Sequence, residues 1–202
     1  SQFILSLAEK IFEREYNRFR KTLGYLPHEL VDQSILTNLA HKFYHSRVEG
    51  GEGHLEVGKS IYYTENHLCH MILSLKPFGC MPSTQSDGVQ SVVTSHYKEM
   101  IFLPIETSGE GDINAHSRVQ MALGEAKAKS KLEFKECLEK SGYKLEEINA
   151  YVSSHDELQR PFFKVSHRDG IAGIGANFIL DVAELMRKDG IEPGNTSDIV
   201  AT

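Results

Sequence analysis

Residues 71–112 read MILSLKPFGCMPSTQSDGVQSVVTSHYKEMIFLPIETSGEGD. Two short apolar runs, Met71 to Phe78 and Met100 to Ile105, each stop in a polar, glycine-containing turn, and each turn leads into a helical pattern. Short apolar runs bounded by turn signals suit strands of a parallel sheet, where both faces are covered. Between them, Val89, Val92, Val93 and Tyr97 fall at helical spacing within Asp87 to Lys98, a connection long enough for the right-handed crossover that joins parallel strands. The pattern predicts a strand-loop-helix unit used twice. Such sheets bind ligands beyond the carboxyl ends of their strands. The loops Gly79-Cys80-Met81-Pro82-Ser83 and Ser108-Gly109-Glu110-Gly111 fall at that edge, so Gly79, Cys80, Ser83 and Gly109 become candidate binding residues. Glu106, Glu110 and Asp112 are polar candidates beside them, with helix capping and dipole matching as their other reading.

The chain has 202 residues, 40% of them apolar, enough for a sizeable core in one large domain. Twenty-eight acidic residues against 22 basic ones give a formal charge of -6, which argues against nucleic acid as a partner, since phosphate binding needs clustered Lys and Arg. No apolar run approaches the roughly 18 residues of a membrane span, and the charged, helical opening lacks the apolar core of a signal peptide. These features predict a cytoplasmic protein with no membrane partner. The helical start without an initiating Met suggests a piece of a longer polypeptide. Three cysteines, an odd number in a chain too long to need disulfides, point to reduced thiols or a metal site.

The reading outward from the centre gives one α/β domain over 1–202, with a helical portion over about 1–66, a strand-helix core over about 70–141 and a closing helix over about 170–189. Phe3, Ile4, Leu7, Ala8, Ile11, Phe12, Tyr16 and Phe19 form the apolar stripe of a first helix that Gly24 ends. A second helix, capped by Asp32 or Ser34, runs to about Tyr44. His41 and His45 lie one turn apart, a spacing that can hold a metal but more commonly does not. Residues 53–60, GHLEVGKS, match the phosphate-loop pattern G-x-x-x-x-G-K-[ST]. That motif needs a buried strand feeding the loop and a helix leaving it, so that backbone N–H groups converge on phosphate. His41 to Glu49 is polar and helix-like instead, and Glu56 puts a carboxylate where phosphate would approach. The segment therefore reads as a helix running to about Asn66 whose glycines permit close packing, with nucleotide binding as a lesser alternative. A long helix over Ile113 to about Ser141 follows, with Asp112 as its cap and Cys137 as a small buried residue. Residues 150–165 read as irregular around Pro161.

The cysteines separate geometrically. Cys69 opens the first strand and Cys80 follows its end, eleven residues on, which at about 3.3 Å per residue puts them ~30 Å or more apart. They share neither a zinc ion nor a disulfide. Cys69 reads as structural, and Cys80, held in a loop shaped by Gly79 and Pro82, as a ligand or a reactive thiol.

The segments KPFGCMPS, SDGVQS and LPIETSGEGDINAHSRVQMALGEAK, with GGEGHLEVGK ahead of them, resemble the large activase-related proteins associated with 2-hydroxyacyl-CoA dehydratases, the group that includes 2-hydroxyglutaryl-CoA dehydratase. The resemblance covers roughly residues 5–190. It implies a three-layer, Rossmann-like α/β domain with a mostly parallel sheet flanked by helices, and iron-sulfur chemistry. By that resemblance Cys80 matches a cysteine that helps hold a [4Fe-4S] cluster, and Gly79, Ser83 and Gly109 line the same site. It also implies an activase ATPase partner, which injects one electron for removal of a hydroxyl group from an acyl-CoA substrate. A cluster of this kind takes four cysteines, and one lies at the matching edge. The resemblance therefore implies that the others come from the remainder of a larger polypeptide or from a second chain, and that this piece is not an active enzyme alone. A cluster-free scaffold or docking domain is the alternative from another class.

Overall fold

The computed structural model describes residues 2–45, 47–48, 51–107 and 113–194. The two predicted strands form. β1, Ile72–Pro77, and β2, Phe102–Thr107, pair in parallel, with Ile72 beside Phe102 and Pro77 beside Thr107. The result is an α/β arrangement in which a small two-stranded parallel sheet is flanked by helices. The predicted burial of both strand faces does not hold for β1. Ile72, Ser74 and Lys76 turn inward, whereas Leu73, Leu75 and Pro77 are exposed. A serine and a lysine alternate with leucines, and the polar set faces the helices because its partners lie there.

The chain divides into two compact units. The first comprises residues 1–31, 142–166 and 181–202, and the second comprises 32–141 and 167–180. The second unit contains the sheet. Its α2, Gln33–His41, starts at Asp32, whose side chain accepts from the Ser34 N–H at 2.7 Å, one of the orphan donors every helix start leaves. Next, α3, Gly53–Glu65, is helical throughout the phosphate-loop match. Ala40 and Tyr44 with Val57 and Ile61 of α3 and Val93 from the helix that follows β1 make a buried cluster.

α4 spans Met81–His96, so the first connection differs from its sequence reading. Met81, Pro82 and Ser83 are not loop but the opening turn of this helix, with Cys80 as its N-cap. Proline is well suited to a first turn, where its missing N–H has no partner to lose. α5 spans Ile113–Ser141, as predicted, and carries the buried Cys137. Gly109, Glu110 and Asp112, assigned to the second turn, lie outside the described residues.

The first unit holds α1, Gln2–Thr22, which Gly24 closes with φ +63°. Its Arg20 is buried and donates from Nε to the Pro27 carbonyl at 2.9 Å, tying down the turn that follows. The apolar stripe of α1 is not a core face: Ile4, Leu7, Ile11, Phe12 and Phe19 are exposed. α6, Leu145–Ser154, occupies a stretch whose first half the sequence left unassigned and whose second half read as irregular. Lys144 precedes it, and the Glu147 side chain returns to the Lys144 N–H at 2.7 Å. α7, Ile174–Lys188, begins four residues later than its small-residue run suggested, and its C-terminal part belongs to this unit. There, the Tyr151 hydroxyl donates to Asp189 and the Tyr143 hydroxyl to the Ile191 carbonyl. No described helix is long and apolar enough to cross a membrane.

Candidate functional site

The carboxyl end of β1 turns sharply at Gly79, whose φ of +74° is open to glycine at no steric cost. This turn delivers Cys80 to the first position before α4, where the Cys80 N–H reaches back to the Pro77 carbonyl. The side chain is half-buried. Ser83, one turn into the helix, donates from Oγ to Cys80 Sγ at 3.2 Å. The Cys80 thiol lies below the ordinary range, chiefly because the Ser83 hydroxyl and then the Ser83 N–H hydrogen-bond to it, with a smaller attraction from the Lys76 ammonium. Thiols at helix N-termini with donors around them favour the thiolate, which is the nucleophile and the metal ligand. Cys69 and Cys137 are pushed the other way, mainly by burial.

Beneath this turn lies a polar network that the sequence reading missed. Lys76, 3% exposed in β1, is ion-paired with Asp87 of α4 and lies 3.6 Å from the Glu56 carboxylate of α3. Glu56 in turn accepts from the hydroxyls of Ser74 and Ser86. A buried ammonium is tolerated only with such partners. The signal was present in ILSLKP: a lysine in an otherwise apolar strand, in register with a serine two residues earlier, marks an inward polar face.

The glycines of the phosphate-loop match are packing devices. A Cβ on Gly58 would sit 2.5 Å from the Leu36 carbonyl oxygen of α2, and one on Gly53 would meet the Tyr44 hydroxyl at 2.8 Å. Gly51, with φ +110°, lies against Pro82. These contacts bring the start of α3 against the start of α4. Ser60 gives its hydroxyl to the Glu56 carbonyl one turn back at 2.8 Å, and Lys59 is exposed. The backbone of residues 53–60 is thus committed to a helix.

A groove of about 830 Å³ opens between α3 and β1 and is lined near one end by Cys80 and Ser83 and near the other by Cys69. Gly79 shapes the turn, and Cys80 and Ser83 meet within it; the structure brings these three sequence-derived residues together. Glu106 is exposed at the end of β2. The His41 and His45 rings lie 4.9 Å apart, and no group of three or more His, Cys, Asp or Glu residues is placed to hold a metal ion among the described residues. For an iron-sulfur cluster, the donor chemistry fits in one position: Cys80 presents a thiolate-favouring sulfur at the strand's end, and the described residues supply no second cysteine at that turn. No family model, curated protein or solved structure matches the chain.

Proposed function

We propose that the chain is a dehydratase-like domain of an activase-related protein, in which Cys80 supplies one thiolate to a [4Fe-4S] cluster completed by cysteines from outside this segment. The setting of Cys80 carries the reading. It is the one cysteine whose surroundings favour the thiolate, and it stands at the carboxyl edge of a parallel sheet, where such sheets hold their ligands. When bound, the cluster supplies one-electron transfer, here within an ATP-driven system that removes a hydroxyl group from a 2-hydroxyacyl-CoA. The chain's own residues hold the sulfur: Gly79 sets the turn, Ser83 donates to Sγ, and Lys76 adds positive charge from beneath. The partners are an activase ATPase and the polypeptide carrying the remaining cysteines, in the cytoplasm, where thiols stay reduced.

The test uses ferrous iron, sulfide and a small thiol that fills the remaining coordination positions, mixed anaerobically with the chain and then separated by size. Iron and sulfide with visible absorption should travel with the native chain and with the Cys69→Ser and Cys137→Ser variants, and be lost from Cys80→Ser. Equal retention by Cys80→Ser, or no retention by any of the four proteins, would sink the proposal.

A further inference from the structure

At the amino ends of the two strands, the opposite end of β1 from Cys80, a histidine is held by a fixed carboxylate. Glu133 of α5 accepts the Ala172 N–H on Oε1 at 2.8 Å and the Gly173 N–H on Oε2 at 2.7 Å, and Oε2 lies 3.0 Å from His70 Nε2. Gly173 immediately precedes α7, so the carboxylate sits at the positive end of that helix. A Cβ on Gly173 would come within 2.6 Å of Glu133 Oε2, so a larger residue there would push the carboxylate aside. A carboxylate only accepts, which places the ring hydrogen of neutral His70 on Nε2. Nδ1 then carries the lone pair, and it has no partner among the described residues.

The His70 ring lines a cavity of about 200 Å³ that is partly apolar, through Met71, Ile72, Met100 and Ile101. His67, Cys69, Glu99, Lys129 and Glu133 are the other titratable groups in its walls. The hydroxyl and the thiol there are not poised as nucleophiles. Thr64 Oγ1 donates to the Ser60 carbonyl at 2.8 Å, and burial pushes the Cys69 thiol up, so that it keeps its proton. Lys129 Nζ gives one hydrogen to the Glu99 carbonyl at 2.7 Å and keeps two. The Glu99 carboxylate in the wall and Glu125, 3.9 Å from Nζ, offset its charge, which leaves no net attraction for an anion.

We propose that this cavity is a proton-transfer site for a small, uncharged carbonyl compound, with His70 as the general base and Glu133 as the residue that positions it. The Nδ1 lone pair takes a proton from the carbon beside the carbonyl group. The C–H electron pair moves into the carbonyl, forming an enolate whose oxygen is met by the Lys129 ammonium. The imidazolium then returns the proton to another carbon of the same molecule, and an isomer leaves. No oxidant, reductant or second substrate enters. A base of fixed tautomer and a donor placed where charge develops are what proton removal from carbon requires. The cavity limits the substrate to about six or seven water volumes. This chemistry is independent of any cluster at Cys80.

The test uses the full chain and 5-nitrobenzisoxazole, an uncharged probe that opens when a base removes its one acidic ring proton. The C–H electron pair forms a nitrile, the N–O bond breaks, and a coloured phenolate is released. The rate with the native chain should saturate with probe, exceed that of imidazole at equal concentration by about a hundredfold, and fall at acid pH as the imidazole gains a proton. His70→Gln should lose about tenfold or more. Glu133→Gln, whose amide donates to Nε2 and moves the ring hydrogen to Nδ1, should lower kcat by a similar factor with KM unchanged. Nitrogen NMR of the native chain, which needs no substitution, should find the His70 hydrogen on Nε2. A native rate no greater than that of imidazole, an equal rate in a folded His70→Gln chain, or the hydrogen on Nδ1 in the native chain would each overturn the proposal.

Discussion

Cys80 and Lys76 show how one sulfur is set apart from two others. Cys80 gains two hydrogen bonds from Ser83, whereas Cys69 and Cys137 gain burial, and the two influences move a thiol in opposite directions. A lower pKa brings the thiolate in at lower pH. Iodoacetamide should therefore label Cys80 ahead of the other two, and its rate should begin to rise at a lower pH as labelling is followed over about pH 6 to 9. Peptide-resolved mass spectrometry reads all three, and preferential labelling of Cys137 would contradict the assignment. Lys76 is held by two carboxylates that keep some contact with water, with side-chain exposures of 22% and 31%. Replacing it with methionine keeps the stem but strands both carboxylates. Lys76→Met should cost about 3 kcal/mol in urea unfolding, near the low end for breaking a buried pair, and should also slow Cys80 labelling. A loss below about 0.5 kcal/mol would mean that the pairing carries no weight.

The helices α3 and α4 are fixed to each other and to α2 by a few close approaches. Gly58 is the least yielding of them, since an added Cβ meets the Leu36 backbone rather than a side chain. Gly58→Ala should lower stability by about 2–3 kcal/mol, as overpacking does, while Lys59→Ala, on the exposed side of the same turn, should leave it within about 0.5 kcal/mol. The reverse order, or loss of a stabilising effect of Mg-ATP in Lys59→Ala, would restore the phosphate-loop reading of this segment. At the far end of α3, the Tyr97 hydroxyl donates to Glu65 at 2.6 Å. Burial first, and then this bond, push Tyr97 up to about 12 from 10.0. Below pH 10 the phenol is protonated in both folded and unfolded chains, and its contribution is fully present. Between pH 10 and about 12 the unfolded chain ionises while the folded one keeps its proton, so stability falls. Tyr97→Phe should lose stability less steeply across that window, and identical slopes in urea melts would show that the phenol does not titrate as described.

Across the molecule, what the sequence disclosed was whatever depended on near neighbours. The apolar runs around Leu75 and Leu103 announced both strands, and the periodicity from Val119 to Leu138 marked α5 to its ends. Met81 to Ser83 were misread because Pro82 looks like a loop residue until the helix it opens is seen. α6 escaped because Ile148 and Tyr151 give only a short period before Pro161 disrupts the pattern. The Glu56–Lys76–Asp87 network was not legible because its members come from three elements, and only Lys76 stands out in its own. The apolar stripe of α1 was legible as a pattern but not as a core face, since Ile4, Phe12 and Phe19 remain exposed. Pattern shows that a face is apolar; only the fold shows what covers it.

The role given to Cys80 is tested most directly by footprinting the native chain, with no substitution to perturb it. Iodoacetamide labelling of the three cysteines is compared before and after anaerobic loading with iron, sulfide and a small thiol. The predicted result is strong protection of Cys80 after loading, reversed by a chelator, with Cys69 and Cys137 unchanged. Labelling of Cys80 at the same rate in the loaded and unloaded chain would contradict its role as a cluster ligand.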